Sequence, residues 1–325
     1  MSSQVNRRSF MKQSLAASAG GVLAASSTHA AATGALSIKV DPGSKGTMPM
    51  GKIGNLQVSR MLLGGNLLTH YTHSRDLQYV YNLCAHYNTD DKILDTLALC
   101  EQHGINTLVV HTAPRIIDTL KRYRRERNGK MQWIVCPTAD IDPQLDAYAK
   151  GVEQLVNDGA DAIYLWGVRG DSMFAEGKVD LMARAVEIPK EHGLLSGVGA
   201  HDIGVIKACE EHKIPADFYI KTFHHHNYPR APKNTPLTAP TGECPGYWCR
   251  DPQEVIDIMA AVEKPWIAFK VMAAGAIPPK DAFQYAFANG ADHVLAGMFD
   301  FEIAEDVGIA NEVIPAINRS RPWRS

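Results

Sequence analysis

Eight short apolar segments alternate with helix-length amphipathic segments between residues 60 and 300, and no other feature constrains the fold as strongly. The predicted strands cover residues 60–66, 106–112, 132–138, 161–168, 194–202, 217–224, 265–275 and 292–300. In the intervening segments, apolar residues recur at three- and four-residue spacing, which is typical of helices. Continuous apolar strands that alternate with helices indicate a parallel sheet buried on both faces. Eight such units in about 250 residues predict a single (β/α)8 TIM barrel, an α/β fold.

The alternative fold is an open, doubly wound parallel sheet. Its dinucleotide-binding form carries a Gly-x-Gly-x-x-Gly motif after the first strand, and none follows the first predicted strand here. We therefore expect one barrel domain over residues 48–318, followed by a short tail over residues 319–325.

The N-terminal segment is predicted to direct export. The run NRRSFMK, residues 6–12, precedes a mildly apolar stretch and then small residues, and this layout resembles a twin-arginine signal. We expect residues 1–32 to be the signal peptide and residues 33–47 a flexible leader; a disordered basic tail is the alternative. The protein would then be periplasmic or secreted, with the twin-arginine translocase as a partner during export. Since that route carries folded proteins, often with a metal already bound, it favours a metal site.

The composition argues against two classes of partner. The formal net charge of the 325 residues is −2, which gives no electrostatic reason to expect nucleic acid or an anionic membrane as a partner. After the N-terminal segment no apolar run reaches about 18 residues, so we expect no stable membrane anchor. The expected partner of the barrel is a small-molecule substrate.

The six cysteines form no Cys-x-x-Cys pair and no zinc-ribbon pattern. Cys244 and Cys249 are close enough in sequence to form a disulfide in an oxidising compartment, and free thiols are the alternative. Cys136 and Cys209 are expected to be buried apolar residues.

Two connections are long: residues 67–89 after the first predicted strand and residues 225–252 after the sixth. Long connections inside a compact domain are usually functional. Both follow the carboxyl ends of strands, where TIM barrels place their active sites.

Several motifs resemble the aldo-keto reductase family. The run MGKIGNLQVSRMLLGGN is similar to its N-terminal hairpin and first strand, and CEQHGINTLVVHTA resembles its passage from the first helix to the second strand. The fourth and fifth strand regions, GADAIYLWGV and SGVGAHDIGVIKACEEHK, are also similar. The resemblance covers most of residues 48–230 and implies a barrel that reduces carbonyl compounds with a nicotinamide cofactor.

The chain departs from that family at each position that carries its chemistry. His111 stands where the resemblance implies the catalytic aspartate, and residues 137–138, Pro-Thr, stand where it implies the lysine. Residues 167–168, Gly-Val, replace the histidine, and residues 199–201, Gly-Ala-His, replace the Ser-Asn pair that holds the carboxamide. The family's tyrosine and its grip on the cofactor phosphate are not recognisable. NADP is therefore not expected, and NADPH-dependent reduction is a disfavoured alternative.

Histidines and one aspartate follow several predicted strands. Because the carboxyl ends of parallel strands meet at one mouth of a barrel, these side chains predict a divalent metal site, for Zn²⁺ or Mn²⁺. Such a metal would polarise a carbonyl or activate water. Hydrogen-bonded loop histidines are the alternative. The predicted ligands are His201, His224, Asp300, His111 and His73.

Two lysines lie inside predicted apolar strands, Lys221 in the sixth and Lys270 in the seventh. Burying an unpaired ammonium is costly, so each must point into the barrel or find a partner. Desolvation would lower the pKa of the amine and favour Schiff-base chemistry. A buried ion pair with Asp300 or Asp202 is the alternative.

Five further residues are candidates for substrate contacts. Arg75 and Asp76 could orient a polar substrate or form a salt bridge within the loop, and three aromatic residues near the mouth offer flat faces for stacking a sugar. Packing in the core or in a loop is the alternative for the aromatic residues, which are Trp166, Tyr228 and Trp248.

Together these features predict an exported TIM-barrel enzyme that performs metal-assisted hydrolysis, elimination or isomerisation of a small, oxygen-rich, sugar-like substrate. His201 and His224 would be ligands or acid/base groups, with Asp300 as the third ligand or base. Lys221 and Lys270 would stabilise developing oxyanion charge. The alternatives are a Schiff-base lyase that uses Lys221 or Lys270, a reductase, and a non-catalytic periplasmic binding barrel.

Overall fold

The computed structural model describes residues 48–75, 77–229, 231 and 249–325. The predicted signal peptide and leader, over residues 1–47, lie outside the described residues, as do Asp76, Cys244 and Trp248.

Eight parallel strands form a closed barrel, which confirms the predicted (β/α)8 fold. Each strand pairs with the next in the chain, and the last pairs with the first. A two-stranded antiparallel hairpin precedes the barrel. The hairpin strands are β1 (Met50–Ile53) and β2 (Leu56–Ser59), and the barrel strands are β3 (Met61–Gly64), β4 (Thr107–His111), β5 (Gln132–Cys136), β6 (Ala162–Leu165), β7 (Leu195–Ala200), β8 (Phe218–Thr222), β9 (Trp266–Phe269) and β10 (His293–Ala296).

Helices follow the strands, and two connections hold one more helix than the sequence predicts. The connection after β3 contains α1 and α2, and the connection after β6 contains α5 and α6. In the described part of the chain, no helix is long and apolar enough to cross a membrane. The helices are α1 (Tyr79–Tyr87), α2 (Asp90–Gln102), α3 (Ile116–Arg127), α4 (Asp146–Asp158), α5 (Gly167–Ala175), α6 (Val179–Glu191), α7 (Ile203–Glu211), α8 (Pro252–Ala261), α9 (Pro279–Ala288) and α10 (Ile303–Ala316).

The predicted hairpin packs against the barrel interior. Its Ile53 and Val58 are fully buried and belong to the same core cluster as Leu62, Ile134 and Phe218 from the barrel strands. The hairpin therefore extends the core at the amino-terminal ends of the strands and leaves their carboxyl-terminal ends open for a site.

The C-terminal segment docks on the same end of the barrel. The Arg321 guanidinium donates to the Asp292 carboxylate over 2.7 Å, and both side chains are buried. Asp292 also accepts the backbone N–H of Trp266, at the start of β9, over 2.9 Å. Residues 319–325 are thus fixed to the barrel by a buried ion pair.

Candidate active site

A cavity of about 700 Å³ opens at the carboxyl-terminal ends of the barrel strands. Residues from seven of the eight barrel strands, all but β5, and from the connection that follows β3 line it. This is the face where TIM-barrel enzymes carry their active sites, because the loops that follow the strands converge there.

Four of the residues predicted to be catalytic or metal-binding line this cavity. His111, His201 and Lys270 lie directly at or after the ends of β4, β7 and β9, and His73 reaches in from the connection after β3. Burial and then the charge of Lys270 hold the pKa of His73 at about 3. These four side chains therefore share one space, and their roles stay predictions.

His201 is held by a carboxylate that the sequence analysis did not identify. Its Nδ1 lies 2.7 Å from the Asp171 carboxylate, which also accepts the backbone N–H groups of His201 and Asp202 over 2.9 and 3.0 Å. Because an ionised carboxylate can only accept, Nδ1 carries the proton and Nε2 is the nitrogen that can take one up. The His201 side chain is 20% exposed and lines the cavity.

Glycines bring Asp171 to this position. A Cβ at Gly170 would lie 2.8 Å from the Gly199 carbonyl oxygen, and a Cβ at Gly199 would lie 2.8 Å from the Gly167 backbone nitrogen. Both contacts are shorter than side chains tolerate, so α5 packs directly on the backbone of β7 only because these positions lack side chains. This close packing sets Asp171, the next residue of α5, beside the end of β7.

The three histidines of the cavity are neutral at neutral pH. Burial lowers the pKa of His111. Burial also lowers the pKa of His201, with the Asp171 hydrogen bond opposing the shift and the Lys270 charge adding to it. Together with His73, they form a polar but uncharged wall around the Lys270 ammonium. Neutral imidazoles do not themselves cancel the positive charge of the lysine.

Aromatic side chains complete the wall. The His111 ring stacks on Trp166 with centroids 6.2 Å apart, and Tyr71 packs edge-on against both His111 and His73. The Asn66 amide lies 3.0 Å from Nε2 of His73 and fixes that ring. Trp166 and Tyr71 therefore position imidazoles as well as offering apolar area to a ligand.

Lys270 begins a loop whose backbone is held in the left-handed region. Its φ is +57°, and Ala273 and Ala274 have φ values of +47° and +54°. Non-glycine residues rarely adopt this conformation, and clusters of them are found at functional sites. The loop lines the cavity over residues 270–272 and 274–279.

Lys221 does not line the cavity. Its neighbour Ile220 faces the barrel interior and lines the cavity, and successive side chains of a strand point to opposite faces, so Lys221 faces the helices. The ammonium is 1% exposed and donates to the carbonyl and hydroxyl oxygens of Thr222 over 2.7 and 2.9 Å. From this position Lys221 can neither form a Schiff base with a substrate in the cavity nor stabilise an oxyanion there.

His224 and Asp300 also lie away from the cavity lining. His224 follows β8 by two residues, is buried, and has its Nδ1 3.0 Å from the His225 carbonyl oxygen. Asp300 follows β10 by four residues and accepts hydrogen bonds from Tyr87 over 2.6 Å and from Lys92 over 2.9 Å. The Asp300 carboxylate therefore joins the β10–α10 connection to α1 and α2.

The predicted metal ligands are consequently not gathered around one point. In the described ranges, no group of three or more His, Cys, Asp or Glu side chains is placed to hold a metal ion. The residues present do not fit the Zn²⁺ or Mn²⁺ centre that the sequence predicts, because His224 and Asp300 are engaged elsewhere.

Of the residues predicted to contact substrate, some line the cavity and others do not. Arg75 and Trp166 line the cavity. The Tyr228 ring instead packs against His224 and His225, with centroids 6.0 and 6.3 Å apart, away from the lining. Asp76 and Trp248 lie outside the described residues.

The sequence analysis missed Asp171, Asn66 and Tyr71. Asp171 lies 30 residues before His201, and no local motif pairs the two. Asn66 is the last residue of the first predicted strand, and Tyr71 lies in the long connection that follows it, so their region was recognisable although their roles were not.

Comparisons with known proteins support the fold. The chain matches no protein-family model and no curated protein. A solved structure from Pseudomonas aeruginosa, assigned to the aldo-keto reductases, has a TM-score of 0.56 at 19% identity over 86% of this chain and 99% of its own. An aldo-keto reductase from Bacillus halodurans has a TM-score of 0.54 at 10% identity, over 85% of this chain and 98% of its own.

A third similar structure comes from a different kind of enzyme. A truncated 3-deoxy-D-arabino-heptulosonate 7-phosphate synthase from Thermotoga maritima has a TM-score of 0.50 at 9% identity, over 84% of this chain and 95% of its own. At these identities the likeness shows the TIM-barrel fold alone, since this fold supports many chemistries. The chemistry has to be argued from the cavity.

Proposed function

We propose that the protein is an enzyme that moves a proton next to the carbonyl group of a small, oxygen-rich substrate, leading to isomerisation or elimination. The observation that carries this proposal is the Asp171–His201 pair beside Lys270 in the barrel mouth. No step is assigned to a metal, because the donor groups of the described residues do not gather into a site.

His201 would be the general base. Its Nδ1 proton is held by Asp171, so Nε2 can take a proton from the carbon beside the carbonyl. A neutral imidazole is required for this step, and the lowered pKa of His201, caused mainly by burial, keeps it neutral. Asp171 would then stabilise the imidazolium that forms, as a carboxylate does in a histidine-based catalytic pair.

Lys270 would stabilise the charge that develops on the carbonyl oxygen. When the C–H electrons move into the carbonyl group, the oxygen becomes an enolate, and a nearby ammonium in a partly desolvated cavity lowers the energy of that state. If His201 returns its proton to the neighbouring carbon of an enediol, the product is an isomer. If a β-hydroxyl group departs as water after accepting the proton, the product is an unsaturated ketone or acid.

Proton exchange in D₂O tests this function without knowledge of the product. Small hydroxy-ketones, aldoses and keto acids are incubated with the protein, and the loss of the proton signal next to the carbonyl is followed by NMR. We expect exchange with the wild-type protein and a loss of at least about 100-fold in His201→Asn, since a general base contributes roughly that much. His212→Asn, at an exposed position, is the matched control. Exchange that is equal in the two variants contradicts the role of His201.

A Schiff base at Lys270 is a second candidate, because this amine lines the cavity among neutral imidazoles. The amine would add to a substrate carbonyl and release water, and His201 would carry the protons of that exchange. Borohydride would reduce such an imine to a stable secondary amine that mass spectrometry detects. We expect trapping to disappear in Lys270→Arg and to persist in Lys221→Arg, and trapping that depends on Lys221 instead contradicts this candidate.

A further inference from the structure

We infer that Arg75 binds the carboxylate of the substrate, so that the chemistry proposed above acts on a hydroxy or keto acid. This inference names the substrate class and in that respect rests on the proposed function. It is carried by the placement of the Arg75 guanidinium and by the balance of charge in the cavity.

Arg75 lines the cavity two residues after His73. In the described part of the chain, Arg75 forms no ion pair with a carboxylate, in contrast to Arg122 and Arg169, which pair with Asp91 and Asp140. An anion bound in the cavity would supply an acceptor for this guanidinium.

The backbone holds this donor in place. Arg75 has a φ of +56°, a conformation that non-glycine residues rarely adopt. The loop around it is fixed on one side by the Ser74 hydroxyl, which donates to the Leu77 carbonyl over 3.0 Å. A strained residue whose side chain ends at a cavity is typical of a binding position.

The charge of the cavity favours a single negative charge. Among the described lining residues, Arg75 and Lys270 are cations and Glu302 is an anion, while the histidines are neutral. Two positive charges and one negative charge leave a net charge of +1. A carboxylate matches this balance, whereas a doubly charged phosphate group would leave an unmatched negative charge in a partly desolvated space.

The geometry of guanidinium supports the same choice. Its N–H groups form a planar fork that matches the two oxygens of a carboxylate. Lys270 and His201 line the same cavity as Arg75, so a substrate whose acid group is held at Arg75 would share one space with them. Arg75 would be a binding and orienting residue, and His201 would remain the group that transfers the proton.

Three matched probes test the inference by isothermal titration calorimetry: gluconate, its neutral amide gluconamide, and glucose 6-phosphate. We expect the wild-type protein to bind gluconate at least about tenfold more tightly than either of the others. Arg75→Met should remove this preference, Arg75→Lys should keep part of it, and Arg184→Met, an exposed arginine, should leave it unchanged. Thermal unfolding of each variant checks that the fold is retained.

The inference is overturned if the wild-type protein shows no preference for gluconate over its amide, if it prefers the phosphate, or if Arg75→Met retains the preference. His201→Asn separates this result from the proposed function. That variant should lose proton exchange and still prefer gluconate, because His201 is not assigned to the carboxylate. Carboxylate preference without proton exchange in the wild-type protein would therefore contradict the proposed function and support the role of Arg75.

Discussion

At the scale of single residues, the charge of Lys270 sets the protonation of its neighbours. The ammonium lowers the pKa of both His73 and His201, in each case after burial. We therefore predict that Lys270→Met raises both pKa values, with His73 remaining below its ordinary value because burial is the larger cause. NMR titration of the ring protons measures both shifts. Lys270→Arg, which keeps the charge, is the control, and unchanged pKa values in Lys270→Met would show that Lys270 lies too far away.

The Asp171 carboxylate acts on His201 in the opposite direction. Its hydrogen bond and charge raise the pKa of His201 against burial. In Asp171→Asn the pKa of His201 should fall further, and the ring faces an amide that can donate as well as accept, so its tautomer is no longer fixed. We expect kcat for proton exchange to fall by about 100-fold or more with KM nearly unchanged, because the interaction acts on the transition state. A change in KM alone would mean that Asp171 serves only to shape the cavity.

At the scale of elements, the position of α5 depends on its glycines. A Cβ at Gly170 would lie 2.8 Å from the Gly199 carbonyl oxygen, which is backbone and cannot rotate away. We predict that Gly170→Ala displaces α5, destabilises the fold by about 1 to 3 kcal/mol and weakens the Asp171–His201 contact.

Gly308 provides the matched control for this prediction. It lies in α10, and a Cβ there would meet nothing within 4 Å. Gly308→Ala should stabilise the protein by about 0.5 to 1 kcal/mol, because alanine favours the helix. Urea unfolding of both variants measures the difference, and effects of the same sign would contradict the packing argument.

The strands were predictable from the sequence because parallel strands buried on both faces read as continuous apolar runs. Because such strands are buried on both faces, the sequence does not show which side chains point into the barrel and which point toward the helices. The run FYIKT of β8 is buried throughout, so it shows no alternation from which to tell that Ile220 faces the cavity and Lys221 the helices. Lys270 was predicted inside the seventh strand, whereas β9 ends at Phe269 and Lys270 begins the loop that lines the cavity.

The errors at the other site residues have similar causes. The last predicted strand extends to Asp300, whereas β10 ends at Ala296, and the four added residues carry the carboxylate away to Tyr87 and Lys92. Helix α5 was missed because two glycines in its first turns lower helix propensity. Those glycines are required for the packing on β7, so tertiary contact outweighs local preference here, and Asp171 was missed with the helix.

At the scale of the whole molecule, the C-terminal segment contributes to barrel stability. Asp292 is fully buried and its carboxylate accepts from Arg321 and from two backbone N–H groups. We predict that Arg321→Met destabilises the protein by about 3 to 5 kcal/mol, because it leaves a buried charge without its main partner. Arg125→Met, at an exposed pair, should leave the thermal midpoint nearly unchanged. Equal midpoints in the two variants would show that the tail is not fixed through this pair.

Buried histidines at both ends of the barrel give the stability a defined pH dependence. Burial is the main cause that lowers the pKa of His293 to about 4 and the pKa values of His73 and His224 to about 3. In the unfolded chain these groups take up protons below about 6.5, so the unfolded state binds more protons between about 6.5 and 4. The contribution of these histidines to the free energy of unfolding is complete above that pH range and is lost as the pH falls through it. Asp306 opposes this trend, since burial raises its pKa to about 7 and its contribution is lost as the pH rises toward 7.

We predict that the free energy of unfolding decreases as the pH is lowered from 6.5 to 4.5, because more histidines have a lowered pKa than carboxyl groups have a raised one. The histidines are His73, His111, His201, His224, His226 and His293, and the carboxyl groups are those of Asp306 and Glu101. Urea unfolding at half-unit steps of pH measures the slope. Replacing His293, which is fully buried, by Gln should reduce the slope by about one proton, or roughly 1.4 kcal/mol per pH unit, whatever the substitution does to the absolute stability. Asp306→Asn should steepen it, because an opposing group is removed. A slope that is the same in His293→Gln and in the wild-type protein would mean that His293 is already protonated in the folded barrel. The ring would then be buried as a charged imidazolium between the Ser59 carbonyl oxygen and the Ser325 hydroxyl oxygen, and not as a neutral imidazole.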